Sequence, residues 1–146
     1  MELLEFPNKE IWENRNDWVN QELIEAERGC HLLSDHACAL FMELQACYCI
    51  GAWVTVIVLS VSVIDAHLRE TEASDTSLGT ARLLKDYYEG EDIDWLRQLR
   101  NKYVHHNVDQ PIFEMDAQFG DRTQMETDAT KAMKMVISAL FQNCGV

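Results

Sequence analysis

Apolar residues recur along this chain at three- and four-residue steps almost throughout, the spacing of helices that bury one face. Ile11, Trp12, Trp18, Val19, Leu23 and Ala26 form the first such stripe, with Arg15 set among them, and predict a helix over roughly Lys9 to Arg28 that Gly29 ends as a C-cap. Ser34 or Asp35 can cap the next, expected from His36 to about Thr71. Leu78, Ala81, Leu84 and Tyr88 mark a short third helix stopped near Gly90. A fourth, opened by Asp92 or Asp94, runs from Trp95 to about His106. Asn107 to Gly120 is irregular and broken by Pro111. The closing helix starts at Thr123-x-x-Glu126, read as a capping box, and carries Ala129, Met133, Val136, Ile137, Leu140 and Phe141.

Within the second segment, local propensity and context oppose each other. Val54 to Ile64 is dense in β-branched residues, and Val-Ser-Val-Ser-Val alternates as strands do. No second strand of comparable strength is available to pair with it, and an isolated strand cannot satisfy its backbone polar groups. The run is therefore expected to be a fully buried helix. The twenty-one uncharged residues from Leu44 to Ile64 could also span a bilayer by length. Gln45, Gly51, Thr55, Ser60 and Ser62 interrupt them, and the flanking Glu43, Asp65 and Glu70 give no positive-inside signal, so a soluble core helix is the expectation.

A chain of 146 residues, 47% hydrophobic, with two Pro and six Gly, suits one domain spanning 1–146, made of helices and few turns. Twelve basic against twenty-five acidic side chains leave a net charge of −13. Such a surface repels phosphate backbones at long range, so any RNA must be met at a locally positive site. The acidic N-terminus lacks a signal-peptide n-region, and five cysteines (30, 38, 47, 49 and 144) sit in mostly apolar sequence, which suits reduced thiols in a cytoplasmic protein. Cys30, His31, His36 and Cys38 offer metal-type atoms without paired Cys-x2-Cys or His-x3-His spacing, so no metal or other cofactor is expected.

One cationic island stands out. From Trp95 to Val108 there is no Asp or Glu, but there are three basic residues and two histidines. On a helical wheel Trp95, Leu96, Leu99 and Tyr103 form the core stripe, while Arg97, Asn101 and His105 run down one polar face with Arg100 beside them. Taken alone, such a face is what a surface helix presents, with basic residues complementing its C-terminal dipole. The stretch Leu96-Arg97-Gln98-Leu99-Arg100-Asn101-Lys102-Tyr103-Val104-His105, however, resembles the Arg-x(4–6)-His setting of the HEPN (higher eukaryotes and prokaryotes nucleotide-binding) superfamily. Ser62-Val-Ile-Asp-Ala-His-Leu-Arg69 is similar to the end of that family's long central helix, and Leu78-Gly79-x-x-Arg82-Leu83-Leu84 to the short helix after it.

The resemblance covers the chain from about residue 36 onward. It implies an all-α, HEPN-like bundle of four to five helices with a long buried second helix. It also implies a homodimer whose two motifs share a cleft, and a metal-independent endoribonuclease site in which Arg100, His105 and Asn101 are catalytic. Asp65, Arg97 and His106 are the supporting residues: Asp65 stands where family members often place an acid and could pair with Arg100, and His106 could take the proton-transfer role instead of His105. The biological settings implied are the toxin of a toxin–antitoxin pair, with a nucleotidyltransferase-type antitoxin as partner, or an abortive-infection effector. The rival expectation is a catalytically silent HEPN module that binds a nucleotide or a protein. On an ideal helix Arg100 and His105 lie about 140° apart, so the reading needs either a distortion near His105 or a second subunit to complete the site.

Overall fold

A computed structural model describes residues 4–29, 31–112 and 122–143. These residues form six α-helices and no strand: α1 (Lys9–Ala26), α2 (Asp35–Ile50), α3 (Trp53–Thr71), α4 (Thr80–Tyr87), α5 (Ile93–Val104) and α6 (Thr123–Leu140). Cys30, Cys144 and the stretch 113–121 lie outside the described residues.

The expected long second helix is two helices. Gly51 ends α2 with φ 79°, a left-handed conformation that costs glycine nothing and a side chain roughly 1–2 kcal/mol. Its N–H returns to the Tyr48 carbonyl (3.1 Å) and that of Ala52 to Cys47 (2.9 Å), which satisfies the end of α2 before α3 starts at Trp53. Nothing in the three-four periodicity signals this break, because the apolar pattern continues across it. No helix among the described residues is long and apolar enough to cross a membrane.

α3 is the centre of the molecule and packs against α2, α4, α5 and α6, while α1 lies on α2 and α6. Its β-branched run adopts the expected helix, with Val56, Ile57, Val61, Val63 and Ile64 buried, but it is not buried all round: Thr55 and Ser62 are exposed. Ser60, also buried, returns its hydroxyl to the Val56 carbonyl (2.6 Å), so it brings no orphaned donor into the core. Tertiary burial here outweighs a β propensity that spans only about 1 kcal/mol per residue. Leu44 from α2, Leu83 and Leu84 from α4, Leu96 from α5 and Met133 and Val136 from α6 complete the core.

The caps are those foreseen in part. Ser34 caps α2, its Oγ accepting from the Ala37 N–H at 3.0 Å. The capping box at the start of α6 is absent: Arg122 occupies the N-cap position and makes no side-chain capping bond, and Thr123 is already helical. Asp92 precedes α5 with φ 65° and no side-chain cap, its carboxylate reaching Lys131 of α6 at 2.9 Å instead. The three described thiols, Cys38, Cys47 and Cys49, are unpaired, and burial pushes each above its usual range, which keeps them protonated.

Candidate functional site on α5

α5 is held by its apolar side. Leu96 is fully buried, and Ile93, Trp95, Leu99 and Tyr103 pack against the core, which fixes the rotation of the helix. Lys131 of α6 lies over the Trp95 ring at 4.1 Å and braces the first turn. The rotation leaves Arg97, Arg100 and Asn101 half-buried along the flank, with Lys102 exposed.

The two arginines are set unusually for so acidic a chain. Arg97 reaches Asp94 only at 3.8 Å, from a carboxylate that is itself 70% exposed. Arg100 makes no hydrogen bond or ion pair with any described residue. The Nε of each is buried without a partner. A guanidinium is always charged, and its desolvated N–H groups cost free energy until an acceptor arrives. With twice as many acids as bases available, Arg100 meets no carboxylate among the described residues, and Arg97 meets only the long contact with Asp94.

The helix ends before His105. Val104 is the last helical residue, and His105 takes extended backbone (φ −112°, ψ 103°), its N–H closing the final turn on the Asn101 carbonyl at 2.9 Å. The angular separation of an ideal helix therefore does not apply to Arg100 and His105. His105 and His106 are both exposed. The chain then turns back: the Gln110 N–H bonds the Asn107 carbonyl (3.1 Å), and the Asn107 side chain accepts from the Asp109 N–H (3.1 Å). This turn brings Gln110, Pro111 and Ile112 opposite Lys102, Tyr103 and the two histidines, around a half-open surface cavity of about 380 Å³. Arg100 and Asn101 do not line it. The fold thus places the expected site residues in two adjoining parts, an arginine flank and a histidine cavity.

Asp65 belongs to neither part. It is taken by Arg69, one turn along α3, through Nε–Oδ1 at 3.0 Å and Nη2–Oδ2 at 2.7 Å. The cavity wall of Lys102, Tyr103, Gln110 and Ile112 was not foreseen from the sequence. The only signal was Pro111 shortly after a polar helix end, which marks a chain reversal without saying what faces it.

Among the described residues no group of three or more His, Cys, Asp or Glu is placed to hold a metal ion. In comparison with known proteins, the chain matches no family model, no curated relative and no solved structure.

Proposed function

We propose that this all-helical protein is a metal-independent endoribonuclease of the HEPN type, working as a homodimer, with α5 as its catalytic element. The observation that carries this is the pair Arg97 and Arg100: half-buried guanidiniums with unsatisfied Nε groups, on the last turns of the helix that leads to an exposed imidazole, in a chain of net charge −13. An oxyanion is the partner their chemistry asks for. A phosphodiester laid across the C-terminal end of α5 meets both parts of the site.

In this reading His105, exposed beyond the last turn of α5, accepts the 2′-hydroxyl proton of the substrate ribose as a general base. The 2′-oxygen attacks the adjacent phosphorus and the 5′-oxygen of the next nucleotide leaves. Arg100 stabilises the charge that builds on the non-bridging oxygens. Asn101 donates to phosphate or orients the imidazole, Arg97 adds positive potential, and His106 stands as a second proton carrier. The cavity bounded by Tyr103, Gln110 and Ile112 receives the flanking base. Dimerisation brings the arginine flank of one copy toward the histidine cavity of the other, which compensates for the arrangement within a single chain. A toxin restrained by a nucleotidyltransferase-type antitoxin, or an abortive-infection effector, is the setting this activity fits.

The test is RNA cleavage in EDTA. Native protein should release products with 2′,3′-cyclic phosphate and 5′-hydroxyl ends, and Arg100→Gln and His105→Ala should each cut cleavage by roughly 10²–10⁴ while melting normally. Cleavage that persists in the His105→Ala protein overturns the assignment. The acidic surface favours one alternative, a catalytically silent module of the same type that binds a nucleotide or a protein; intact RNA with native protein would select it.

A further inference from the structure

Beyond α5 the chain reverses around the half-open cavity beside His105, and the groups that line this cavity are selective in kind. Pro111 and Ile112 give it an apolar side, and no Asp or Glu is among its lining residues. Asn107 commits its side-chain oxygen to the Asp109 N–H (3.1 Å) and so shapes the turn. Gln110 gives its backbone N–H to the Asn107 carbonyl (3.1 Å), while its carboxamide has no partner among the described residues. One donor and one acceptor, side by side, are thus left for a ligand.

Size and charge narrow that ligand. The cavity, about 380 Å³, is at the small end of ligand sites and takes one ring system rather than a stacked run of bases. Three of the chain's twelve basic side chains, Arg97, Arg100 and Lys102, lie between Trp95 and Val108, a stretch free of all twenty-five acids. This positive patch is no longer than α5 itself, twelve residues or roughly 18 Å. Proteins that hold double-stranded RNA spread their contacts over about 16 base pairs. A duplex on α5 would therefore lay most of its length against the acidic remainder of the chain. A single strand keeps its few contacted phosphates on the patch and can turn one unpaired base aside into the cavity.

We propose that this cavity takes one unpaired adenine, read by Gln110, so that the substrate is single-stranded RNA cut beside an adenosine. The proposal rests on the ribonuclease reading of α5 for its phosphate contacts. The Gln110 carboxamide accepts from the adenine N6 amino group and donates to N7. On that edge guanine offers two acceptors, O6 and N7, and no donor for the Gln110 oxygen. Its N1 and N2 donors ask for a carboxylate, which the lining lacks. Cytosine offers a donor beside an acceptor on a smaller ring, which covers less of Pro111 and Ile112.

Base preference is read as binding, so that it does not depend on cleavage. Labelled single-stranded dodecamers of deoxyuridine with one central deoxyadenosine, deoxyguanosine or deoxycytidine, or none, lack the attacking 2′-hydroxyl and are titrated into the full chain by fluorescence anisotropy. The adenine strand should bind about tenfold or more tighter than the other three, and annealing it to its complement should weaken binding as much. Gln110 is exposed, so Gln110→Ala should melt normally and bring all four strands within about threefold of one another. Gln98→Ala, which removes an exposed carboxamide from α5 away from the cavity, should keep the adenine preference. Equal binding of the four strands, preference for another base, duplex binding as tight as single-strand binding, or an adenine preference that survives Gln110→Ala overturns the proposal. Adenine-selective binding with the matching RNA strands left intact would instead support the base site and strike the ribonuclease reading.

Discussion

Arg69 grips both carboxylate oxygens of Asp65 across one turn of α3, at 3.0 and 2.7 Å, and donates from Nη1 to the carbonyls of Thr76 and Leu78. The pair thus ties the loop after α3 to the helix itself, and it holds the Arg69 guanidinium above its already high range through the Asp65 hydrogen bonds. An acid that could have served the α5 motif is committed to architecture.

Asp65→Asn should consequently behave as a stability variant. The pair is partly exposed, so the expected loss is about 0.5–1 kcal/mol in urea denaturation. RNA cleavage should stay within a few-fold of native, in contrast to Arg100→Gln. Arg69→Met, which also orphans two carbonyls, should cost more, roughly 1–3 kcal/mol. A dead but stable Asp65→Asn protein would return Asp65 to the catalytic machinery.

Arg100→Lys keeps the charge and removes the planar fork. If Arg100 meets two phosphate oxygens, cleavage in this variant should fall by roughly 10², nearly as far as in Arg100→Gln. Rescue by lysine would reduce Arg100 to a source of positive potential.

Gly51→Ala tests the break between α2 and α3. The added Cβ would meet Arg15 Nη1 at 3.2 Å, the end of a flexible side chain, so the main cost is the left-handed backbone at φ 79°. A loss of about 1–2 kcal/mol is expected, visible as a fall in Tm of roughly 3–8 °C. An unchanged Tm would mean that α2 and α3 can join without this turn.

His67 gives the protein an acid sensitivity. It is buried on α3, its Nδ1 has no partner, and burial lowers its pKa below the usual 6.5, opposed by the nearby Glu70 carboxylate. Above pH 6.5 the ring is neutral in both folded and unfolded chains and contributes no pH dependence. As pH falls below 6.5 the unfolded chain takes up the proton first, so folding stability drops, by up to about 1.4 kcal/mol per pH unit, until the folded-state pKa is passed. Melting curves of native protein and His67→Gln at pH 7.5 and 5.5 should show a smaller acid shift in the variant. Equal shifts would assign the acid sensitivity to other groups.

The helices of this protein are legible because burial imposes one period on every segment that packs against α3. Leu96, Leu99 and Tyr103 on α5 and Ala129, Met133, Val136 and Leu140 on α6 sit where their spacing put them, on the core side. Even the β-branched stretch Val54–Ile64 was readable, since it had no strand to pair with. The same periodicity hid the turn at Gly51, for an apolar pattern can run unbroken across a change of direction. It also extended the fourth helix past Val104 to His106, where the structure releases both histidines from the helix.

What the sequence by itself determined is the helical character of the chain, the buried faces of α5 and α6 and the presence of one acid-free segment holding Arg97, Arg100, Asn101 and two histidines, whereas Ile11 and Trp12 of the α1 stripe are exposed. The features so determined depend on the order of residues within single elements, so spacing suffices to read them. Only the tertiary structure decided that Asp65 belongs to Arg69, that Tyr103 and Ile112 wall a cavity beside His105, and that Arg15 and Arg122 meet at one helix end. Which charge meets which partner depends on distances of a few ångströms between elements far apart along the chain, and linear order does not fix those distances.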